Sequence, residues 1–351
     1  MARGQVTLQD VAQRAGTSVA TVSRLINKKP LAVHVSDETR VRVLKAAKDL
    51  GYRPNRLARG LVTSRTHIIG LSLPVYSPPT QSLHRWSVQG VDIGSLISGV
   101  LAACYPENYD VMILQRQEFV EPEPSPTVPL CADFADGLIY AAPNVDYDHY
   151  SQFLGTGLPL VMIGKEQSDR VICPYVTLNN ENEFLRLTRA LIRKGHRRIA
   201  LLLPETRSHS TSQWTLAGYV GALNEAGVPV DDSLIVENAD PAEMVRGIME
   251  RDLRPSVIIV ARNDVAVQAL EIVSQFGVRC PEDVEIVVFG DDHEFEQTRP
   301  RLSVLRGDIC GLGYEAARIM FHLLRGETPD SLVLNMPCDF IRRESCVLES
   351  L

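Results

Sequence analysis

The first fifty residues place apolar side chains at the spacing of short helices. In the first segment they recur at i, i+3, i+4 and i+7, as Leu8, Val11, Ala12 and Ala15. Thr7 and Asp10 have the spacing of a capping box, and Gly16 predicts a sharp turn. Ser18 is placed to cap a second helix, from Val19 to about Asn27. That helix would bury its apolar residues, Val22, Leu25 and Ile26.

A third helix is predicted after Ser36, and Gly51 is expected to end it. Its inward side would be formed by Val43, Leu44, Ala47 and Leu50. Two short helices joined by a tight glycine turn describe a helix-turn-helix, whose second helix enters the DNA major groove. Such a helix pair can also reflect core packing alone, so this pattern leaves both interpretations open.

After about residue 67, strand-like apolar runs alternate with amphipathic segments. The runs are HIIGLSLPV, DVMILQ, GLIYAA, PLVMIG, RIALLL, SVIIVA and EIVVFG. GSLISGVLAAC and ENEFLRLTRALIRKG have helical periodicity. This alternation predicts parallel sheets with helices on both faces, and residues 67–351 are enough for two medium domains. Ligands of such folds bind beyond the carboxyl ends of strands and between domains.

The distribution of charge favours DNA binding. Residues 1–66 contain 13 Lys/Arg against 4 Asp/Glu residues, a net charge of +9, whereas the remaining 23 basic and 39 acidic residues give −16. The outward residues of the second helix, Ala20, Ser23, Arg24 and Asn27, are short or basic. The asymmetry indicates an N-terminal module for a polyanion attached to a body with another task.

Other chemistry finds little support in the sequence. Seven scattered cysteines without CxxC spacing indicate reduced, mostly buried thiols in a cytosolic protein, with neither metal nor cofactor expected. Gly311-Leu312-Gly313 resembles the start of a dinucleotide loop but lacks the expected acidic partner, which favours helix packing. No signal peptide and no apolar stretch of about 18 residues is present, so we expect a cytoplasmic protein without a membrane partner.

The segments TLQDVAQRAGTSVATVSR and YRPNRLARGL resemble the N-terminus of the lactose/galactose repressor (LacI/GalR) family of bacterial transcription regulators. Later segments that resemble the family in the same order are IRKGHRRIALL, LAGYVGAL, VIIVARNDVAVQAL, VEIVVFGDD and IRRESC. The resemblance implies a helix-turn-helix headpiece with a hinge helix. It also implies a two-lobed, periplasmic-binding-protein-like α/β body that closes on a small effector.

The resemblance implies that Val19, Ala20 and Arg24 contact base edges. Arg24 has the clearest physical reason, because a guanidinium can pair with both O6 and N7 of guanine. Positions that typically touch phosphate are Thr7, Ser18, Thr21, Ser23, Asn27, Ser36, Thr39 and Asn55. The hydroxyls of Thr7, Ser18 and Ser36 are equally explained as helix caps. The stretch 28–34 is longer than is usual in the family, which puts backbone contacts there in doubt.

Residues 53–61 resemble the family's hinge helix. Pro54 cannot continue the third helix, and Asn55 is a good cap for a new one. A helix of about two turns is marginal in water, so we expect it to form fully only on DNA with a second subunit. Leu61 matches a leucine that wedges into a minor-groove base step, and Ala58 is predicted beside it in that groove.

Effector contacts are implied by position at Asp92, His209, Thr211, Asn263 and Asp291. Sugar-binding relatives often have an acid, an arginine and a glutamine where this chain has Gly164, Thr215 and Gly307. The effector is therefore left open between a sugar, another polar metabolite and none. Loop 76–90 is longer than usual, and its role is also open.

The sequence thus predicts a headpiece at 1–52, a hinge and linker at 53–66, and a body at 67–351. Lobe one is expected at about 67–174 and 306–333, and lobe two at about 175–305 and 334–351. The predicted function is a non-enzymatic transcriptional regulator, a repressor by family analogy, that binds a pseudo-palindromic operator as a homodimer. The alternative is a two-lobed binding protein or enzyme on the same fold, which the basic N-terminal module disfavours. Operator sequence, target genes and the direction of the effector response stay open.

Overall fold

The computed structural model describes residues 6–26, 35–52, 65–75, 87–88, 91–117, 134–141, 156–164, 173–203, 210–237, 241–261, 263–349 and 351. The chain divides into two compact units, Met1–Thr66 and His67–Leu351. The first unit contains α1 (Leu8–Ala15), α2 (Val19–Ile26) and α3 (Asp37–Leu50).

The ends of these helices follow the predicted local signals. The Thr7 side chain accepts a hydrogen bond from the Asp10 amide, and the Asp10 carboxylate accepts one from the Thr7 amide at 2.8 Å. This arrangement confirms the capping box. Gly16 has φ 61° and ends α1, and Gly51 has φ 68° and ends α3. Glycine adopts this left-handed conformation without the steric cost that a side chain brings.

One small core holds the three helices together. Its fully buried side chains are Val11, Ala12, Ala15, Val22, Val43 and Ala46. Ala47 and Leu50 pack against it, but Leu44 is 52% exposed, so the inward assignment of Leu44 was wrong. The inward residues of α3 follow i, i+3, i+4 and i+7 from Val43, which excludes the next position in the chain. Arg42 Nε also donates to the Ala15 carbonyl at 3.0 Å and ties α3 to the end of α1.

The second unit alternates strands and helices, as predicted. In chain order it contains β1 (Ile68–Val75), β2 (Ser87–Val88), β3 (Val91–Asp92), α4 (Ile93–Cys104), β4 (Asp110–Gln117), β5 (Gly137–Ala141), β6 (Leu160–Ile163), β7 (Tyr175–Leu178), α5 (Asn180–Lys194), β8 (Ile199–Leu202), α6 (Ser210–Glu225), β9 (Ile235–Val236), α7 (Pro241–Met249), β10 (Val257–Val260), α8 (Asn263–Gln275), β11 (Glu285–Phe289), β12 (Ser303–Gly307), α9 (Ile309–Leu324), β13 (Val333–Met336) and β14 (Cys338–Ile341). Every apolar run predicted as a strand forms one.

Among the described residues, these strands form two six-stranded sheets and one small antiparallel pair, β2-β3. The first sheet has the order β13-β7-β6-β5-β1-β4 and is parallel throughout. The second has the order β14-β12-β11-β10-β8-β9, with β14 antiparallel to β12. We call the parts built on the two sheets lobe one and lobe two.

Helices cover both faces of the second sheet because its strands are apolar on both sides. Ile258 and Val260 of β10 belong to the core under α7 and α8. Val257 and Ile259 of the same strand belong to the core under α5 and α6. In lobe one, α4 and α9 approach so closely that a side chain at Gly99 would overlap the Cys310 carbonyl oxygen. This parallel, helix-covered architecture is the one predicted.

The strands locate the crossings between lobes. β7 and β13 complete their pairing in the first sheet through Leu178 and Met336, and β12 pairs in the second through Gly307. In the described chain, the crossings therefore lie at Asn179, Asp308 and Pro337. Each comes a few residues after the boundary expected from sequence, because the strand finishes its ladder before the chain leaves the sheet.

Candidate nucleic-acid interface and effector cleft

Helix α2 divides into a buried and an exposed side. Val22 is fully buried, and Leu25 and Ile26 pack against the same core. Ala20 and Arg24, four residues apart, are exposed on the opposite side, and Val19 is 43% exposed. The residues predicted to contact base edges are therefore accessible. Because Val19 and Ala20 are small, the helix backbone beside Arg24 can approach a groove floor closely.

The hydroxyls predicted at phosphate positions act as helix caps in the free protein. Ser18 Oγ accepts from the Thr21 amide at 3.1 Å and lies 2.8 Å from Thr21 Oγ1. Ser36 Oγ accepts from the Thr39 amide at 3.3 Å and lies 3.0 Å from Thr39 Oγ1. Thr7 caps α1 in the same way. These caps fix the helix N-termini, whose free amides and dipoles favour phosphate, so the two roles are compatible.

Of the other residues predicted to contact DNA, the structure describes only some. Ser23 is half-buried on α2. Asn27, Asn55, Ala58 and Leu61 lie outside the described residues, and their predicted DNA contacts stay predictions. Basic side chains that are exposed on the three helices are Arg14, Arg24, Arg40, Arg42, Lys45 and Lys48. These outnumber the exposed acidic residues of the same helices, Asp10, Asp37, Glu38 and Asp49, so the described surface of the first unit is net basic, as binding to a phosphate backbone requires.

In the second unit, the carboxyl ends of the two sheets face each other. Leu178 ends β7 in the first sheet, and its side chain lies where a Cβ on Gly307, the end of β12 in the second sheet, would sit. Gly307 is also paired with Cys338 at the start of β14. Loops that follow the other parallel strands end on the same two edges. Between them lies the cleft in which a fold of this class binds ligands.

Asp92 lies at the cleft edge of lobe one, where it caps α4. Its Oδ1 accepts from the amides of Gly94 and Ser95 at 2.9 and 3.2 Å, and its Oδ2 accepts from Ser95 Oγ at 2.6 Å. Most of the hydrogen-bonding capacity of this carboxylate is therefore used within the protein. A ligand contact at Asp92 would have to share these bonds.

Asp291 follows β11 and is paired with an arginine distant in sequence. Arg343 Nη1 and Nη2 donate to Asp291 Oδ1 and Oδ2, both at 2.9 Å, and Arg343 Nη1 also donates to the Leu302 carbonyl at 2.9 Å. Arg306 approaches Asp291 Oδ2 at 3.8 Å. The Arg343 and Asp291 side chains are 9% and 16% exposed. This bidentate pair holds the segment after β11 against the segment after β14, a role that sequence reasoning missed.

The other predicted effector residues follow strands of the second sheet. Asn263 begins α8 directly after β10, and Thr211 is the second residue of α6 after β8. The structure describes their backbones and not their side chains. His209 lies outside the described residues. Both described positions follow parallel strands of the second sheet, and the effector contacts predicted for them stay predictions.

Two polar residues at this edge were not predicted. Asn180 begins α5 and is 8% exposed, and Ser212 lies in the first turn of α6 and is 1% exposed. Asn180 Oδ1 and Ser212 Oγ are buried and have no hydrogen-bond partner among the described residues. Buried polar atoms are normally paired, so buried polar atoms without a described partner beside a ligand cleft point to a ligand or water partner. Only burial reveals this signal, because Asn and Ser at helix starts are common.

The two helices that carry these atoms run side by side in the same direction. Gly218 of α6 packs so closely on α5 that a Cβ there would overlap the Glu181 carbonyl oxygen. Further along, Arg189 of α5 pairs with Glu225 of α6 at 2.6 Å. Because the contacts advance together along both helices, both helices direct their N-termini toward the cleft. Their dipoles add a positive potential there.

Other chemistry is sparse in the described part of the chain. It contains no cluster of three or more potential metal ligands, and no helix in it is long and apolar enough to span a membrane. The described cysteines are free, and three are buried: Cys104, Cys338 and Cys346. Burial raises the pKa of the Cys104 thiol to about 11 and that of Cys338 to about 12. Such thiols remain protonated and unreactive at neutral pH.

Both units of the chain resemble known proteins. Residues 7–55 match the model of "Bacterial regulatory proteins, lacI family", and residues 188–346 match "Periplasmic binding protein-like domain". The transcriptional regulator CelR of Thermobifida fusca is 30% identical over 353 residues, covering 98% of this chain and 99% of that protein. Catabolite control protein A of Priestia megaterium is 29% identical over 339 residues, covering 95% of this chain and 96% of that protein.

Solved structures give the same fold. A CelR–cellobiose complex has a TM-score of 0.70 at 25% identity and covers 97% of this chain and 100% of that one. A lac repressor dimer bound to operator and the anti-inducer ONPF has a TM-score of 0.80 at 22% identity, covering 97% and 99%. The predicted fold class, a helical headpiece on a two-lobed α/β body, is confirmed. The relatives are regulators, and the chain belongs to the LacI family of bacterial regulatory proteins.

Proposed function

We propose that the protein is a transcriptional regulator, acting in the cytoplasm without enzymatic activity, that binds a pseudo-palindromic DNA operator as a homodimer. A small polar effector in the interlobe cleft changes that binding. The observation that carries the proposal is the exposed Ala20–Arg24 side of α2 on a basic headpiece, joined in one chain to a body with a ligand cleft. By analogy with the family, the effect on transcription is repression.

Self-association is supported by apolar surface on lobe one. Large apolar side chains exposed near α4, α9 and the edge strand β4 are Leu101, Tyr105, Ile113, Phe134 and Tyr314. Tyr105 is 85% exposed and Ile113 52%. Exposed apolar groups on a lobe suit a subunit interface, and a two-fold dimer presents two recognition helices to two half-sites.

The effector is a polar metabolite whose contacts differ from those of the sugar-binding pattern. A side chain at Gly307 would overlap Leu178, so the position that often carries a glutamine is filled by an apolar group from lobe one. Thr215, at the arginine position, is 1% exposed, and Gly164 offers no carboxylate. Cellobiose, the ligand of the CelR complex, is one test compound among mono- and disaccharides, nucleobases and phosphorylated metabolites.

The DNA-binding part of the proposal is tested by titrating the full-length protein with an operator and with random duplex over a salt series. Tighter operator binding at every salt concentration, with affinity falling linearly against the logarithm of salt, is the expected result. Equal affinity for the two duplexes would contradict a sequence-specific regulator.

Ser212→Ala is expected to weaken effector binding without destabilising the free protein. Removing a buried hydroxyl that has no partner in the described chain relieves a desolvation cost, so the melting temperature should hold or rise. A ligand at 100 times its Kd stabilises the wild type by about 2.7 kcal/mol. In Ser212→Ala we expect most of this ligand-induced stabilisation to be lost. The rise in melting temperature on adding each of the compounds above, measured by differential scanning fluorimetry, reports it.

Thr188→Val is the matched control, because Thr188 Oγ1 is also buried without a described partner but lies in the middle of α5, away from the cleft edge. It should leave the ligand-induced shift intact. A full wild-type shift in Ser212→Ala would exclude Ser212 as a ligand contact.

Leu61→Ala is expected to weaken operator binding by about tenfold and to reduce DNA bending. The proposed wedge acts only in the bent complex, so the unfolding of the body should not change. Circular-permutation gel shift measures the bend. An unchanged bend angle would show that this residue, which lies outside the described chain, does not enter the minor groove.

A further inference from the structure

The residue at which the chain enters the body has a left-handed backbone. The boundary between the two units falls between Thr66 and His67, and His67 has φ 57° although it is not glycine. Left-handed conformations are costly for residues with a side chain and persist only where the surroundings impose them. All mechanical communication along the backbone between headpiece and body passes through this residue.

The backbone of His67 is held on both sides by lobe one. Its amide donates to Asp136 Oδ2 at 3.1 Å, just before β5, and its carbonyl accepts from the Asp110 amide at 2.9 Å, at the start of β4. These two bonds attach one peptide segment to two different strands. Lobe one therefore sets the direction in which the chain enters the body.

The His67 ring adds a third attachment. It packs on Tyr109 with ring centroids 5.0 Å apart, and Tyr109 meets Phe321 of α9 edge-on at 5.2 Å. Helix α9 packs along α4, whose N-terminal cap is Asp92 at the cleft edge. Contiguous packing thus links the cleft end of lobe one to His67, the residue that follows the linker.

We propose that His67 is a positioning residue for operator binding. Its left-handed backbone and its ring fix the direction in which the linker joins lobe one, so that the hinge segments of a dimer are presented in register with two half-sites. A rearrangement of lobe one then changes operator affinity through this attachment. The inference rests on the proposed function and adds the residue that connects the two units.

If His67 only stabilised the start of β1, its substitution would behave differently. Such a structural role predicts loss of stability whenever a left-handed residue at this edge is changed. Asn108 supplies the comparison, because it also has φ 57° and lies in the turn that leads to β4, but it is not on the path between the units. Glycine fits φ 57° without strain, so both substitutions to glycine keep the local backbone accessible.

The experiment compares His67→Gly with Asn108→Gly in the full-length protein. Anisotropy titrations give the affinity for a selected operator and for random duplex, and thermal unfolding gives the melting temperature of the body. We expect His67→Gly to lose about tenfold in operator affinity, within the usual range of coupling between sites, with random-duplex affinity and melting temperature unchanged. Asn108→Gly should match the wild type in all three.

Wild-type operator affinity in His67→Gly would overturn the inference alone. Equal losses in both variants that follow their melting temperatures would also overturn it, in favour of the structural role. Absence of operator preference in the unchanged protein would overturn the proposed function and this inference with it.

Discussion

Replacing Arg343 with alanine is expected to lower the free energy of unfolding of the body by about 3 kcal/mol. The substitution leaves Asp291, whose side chain is 16% exposed, without its bidentate partner and removes the bond to the Leu302 carbonyl. An unpaired carboxylate in a mostly buried position is costly, and the remaining cation, Arg306, is 3.8 Å away and half exposed. Urea-induced unfolding of the full-length protein measures the change.

Arg301→Ala is the matched control for this prediction. Arg301 pairs at 2.9 Å with Glu344, the residue that follows Arg343. The Arg301 and Glu344 side chains are 51% and 45% exposed. An exposed pair contributes less than about 1 kcal/mol. Equal destabilisation by the two substitutions would show that burial of the Asp291–Arg343 pair does not determine its contribution.

Arg24→Ala is expected to cost about 1–3 kcal/mol of operator binding and to relax the preference at one base pair per half-site. Arg24 is exposed on α2, opposite the buried Val22, so its loss removes a base contact without disturbing the headpiece core. Anisotropy titrations against the operator and its single-base variants provide the measurement.

Arg14→Ala serves as the comparison for Arg24→Ala. Arg14 is exposed in the last turn of α1, a helix that does not enter the groove in this motif. Its removal should reduce operator and random-duplex affinity alike, and less than the loss of Arg24 reduces operator affinity. If Arg24→Ala also weakened both duplexes equally, Arg24 would be a phosphate contact.

The features that could be predicted from sequence are local. The Thr7–Asp10 capping box, the glycine ends of α1 and α3, and the Ser18 cap each involve residues within a few positions of one another. Long apolar runs such as VIIV also identify central strands, because a strand covered on both faces has no polar side. Signals between residues that are close in sequence are therefore enough to identify these elements.

Other features depend on contacts between distant segments. The crossing strand β7 and its partner β13 are short and only partly buried, and they pair across more than 150 residues of chain. Arg343 and Asp291 meet only because β14 returns beside β12. No periodicity in the sequence signals such meetings. Local pattern also failed at Leu44, whose neighbour Val43 takes the inward position on α3.

The residues of the candidate site also fall into two groups, those found from local pattern and those found only in the packed structure. The sequence pattern and the family resemblance gave the exposed residues of α2, because helix periodicity separates Arg24 from Val22. They did not give Asn180 and Ser212, whose importance lies in buried atoms without described partners. The satisfaction of a polar atom is a property of the packed structure.

The most direct test of the central claim is selection of DNA by the full-length protein from a random duplex library, followed by sequencing. We expect one enriched site with two inverted half-sites, about one helical turn or a multiple of it apart, each containing a guanine preference that Arg24→Ala removes. Enrichment of no sequence, or of a site unaffected by Arg24→Ala, would contradict the claim that α2 reads an operator.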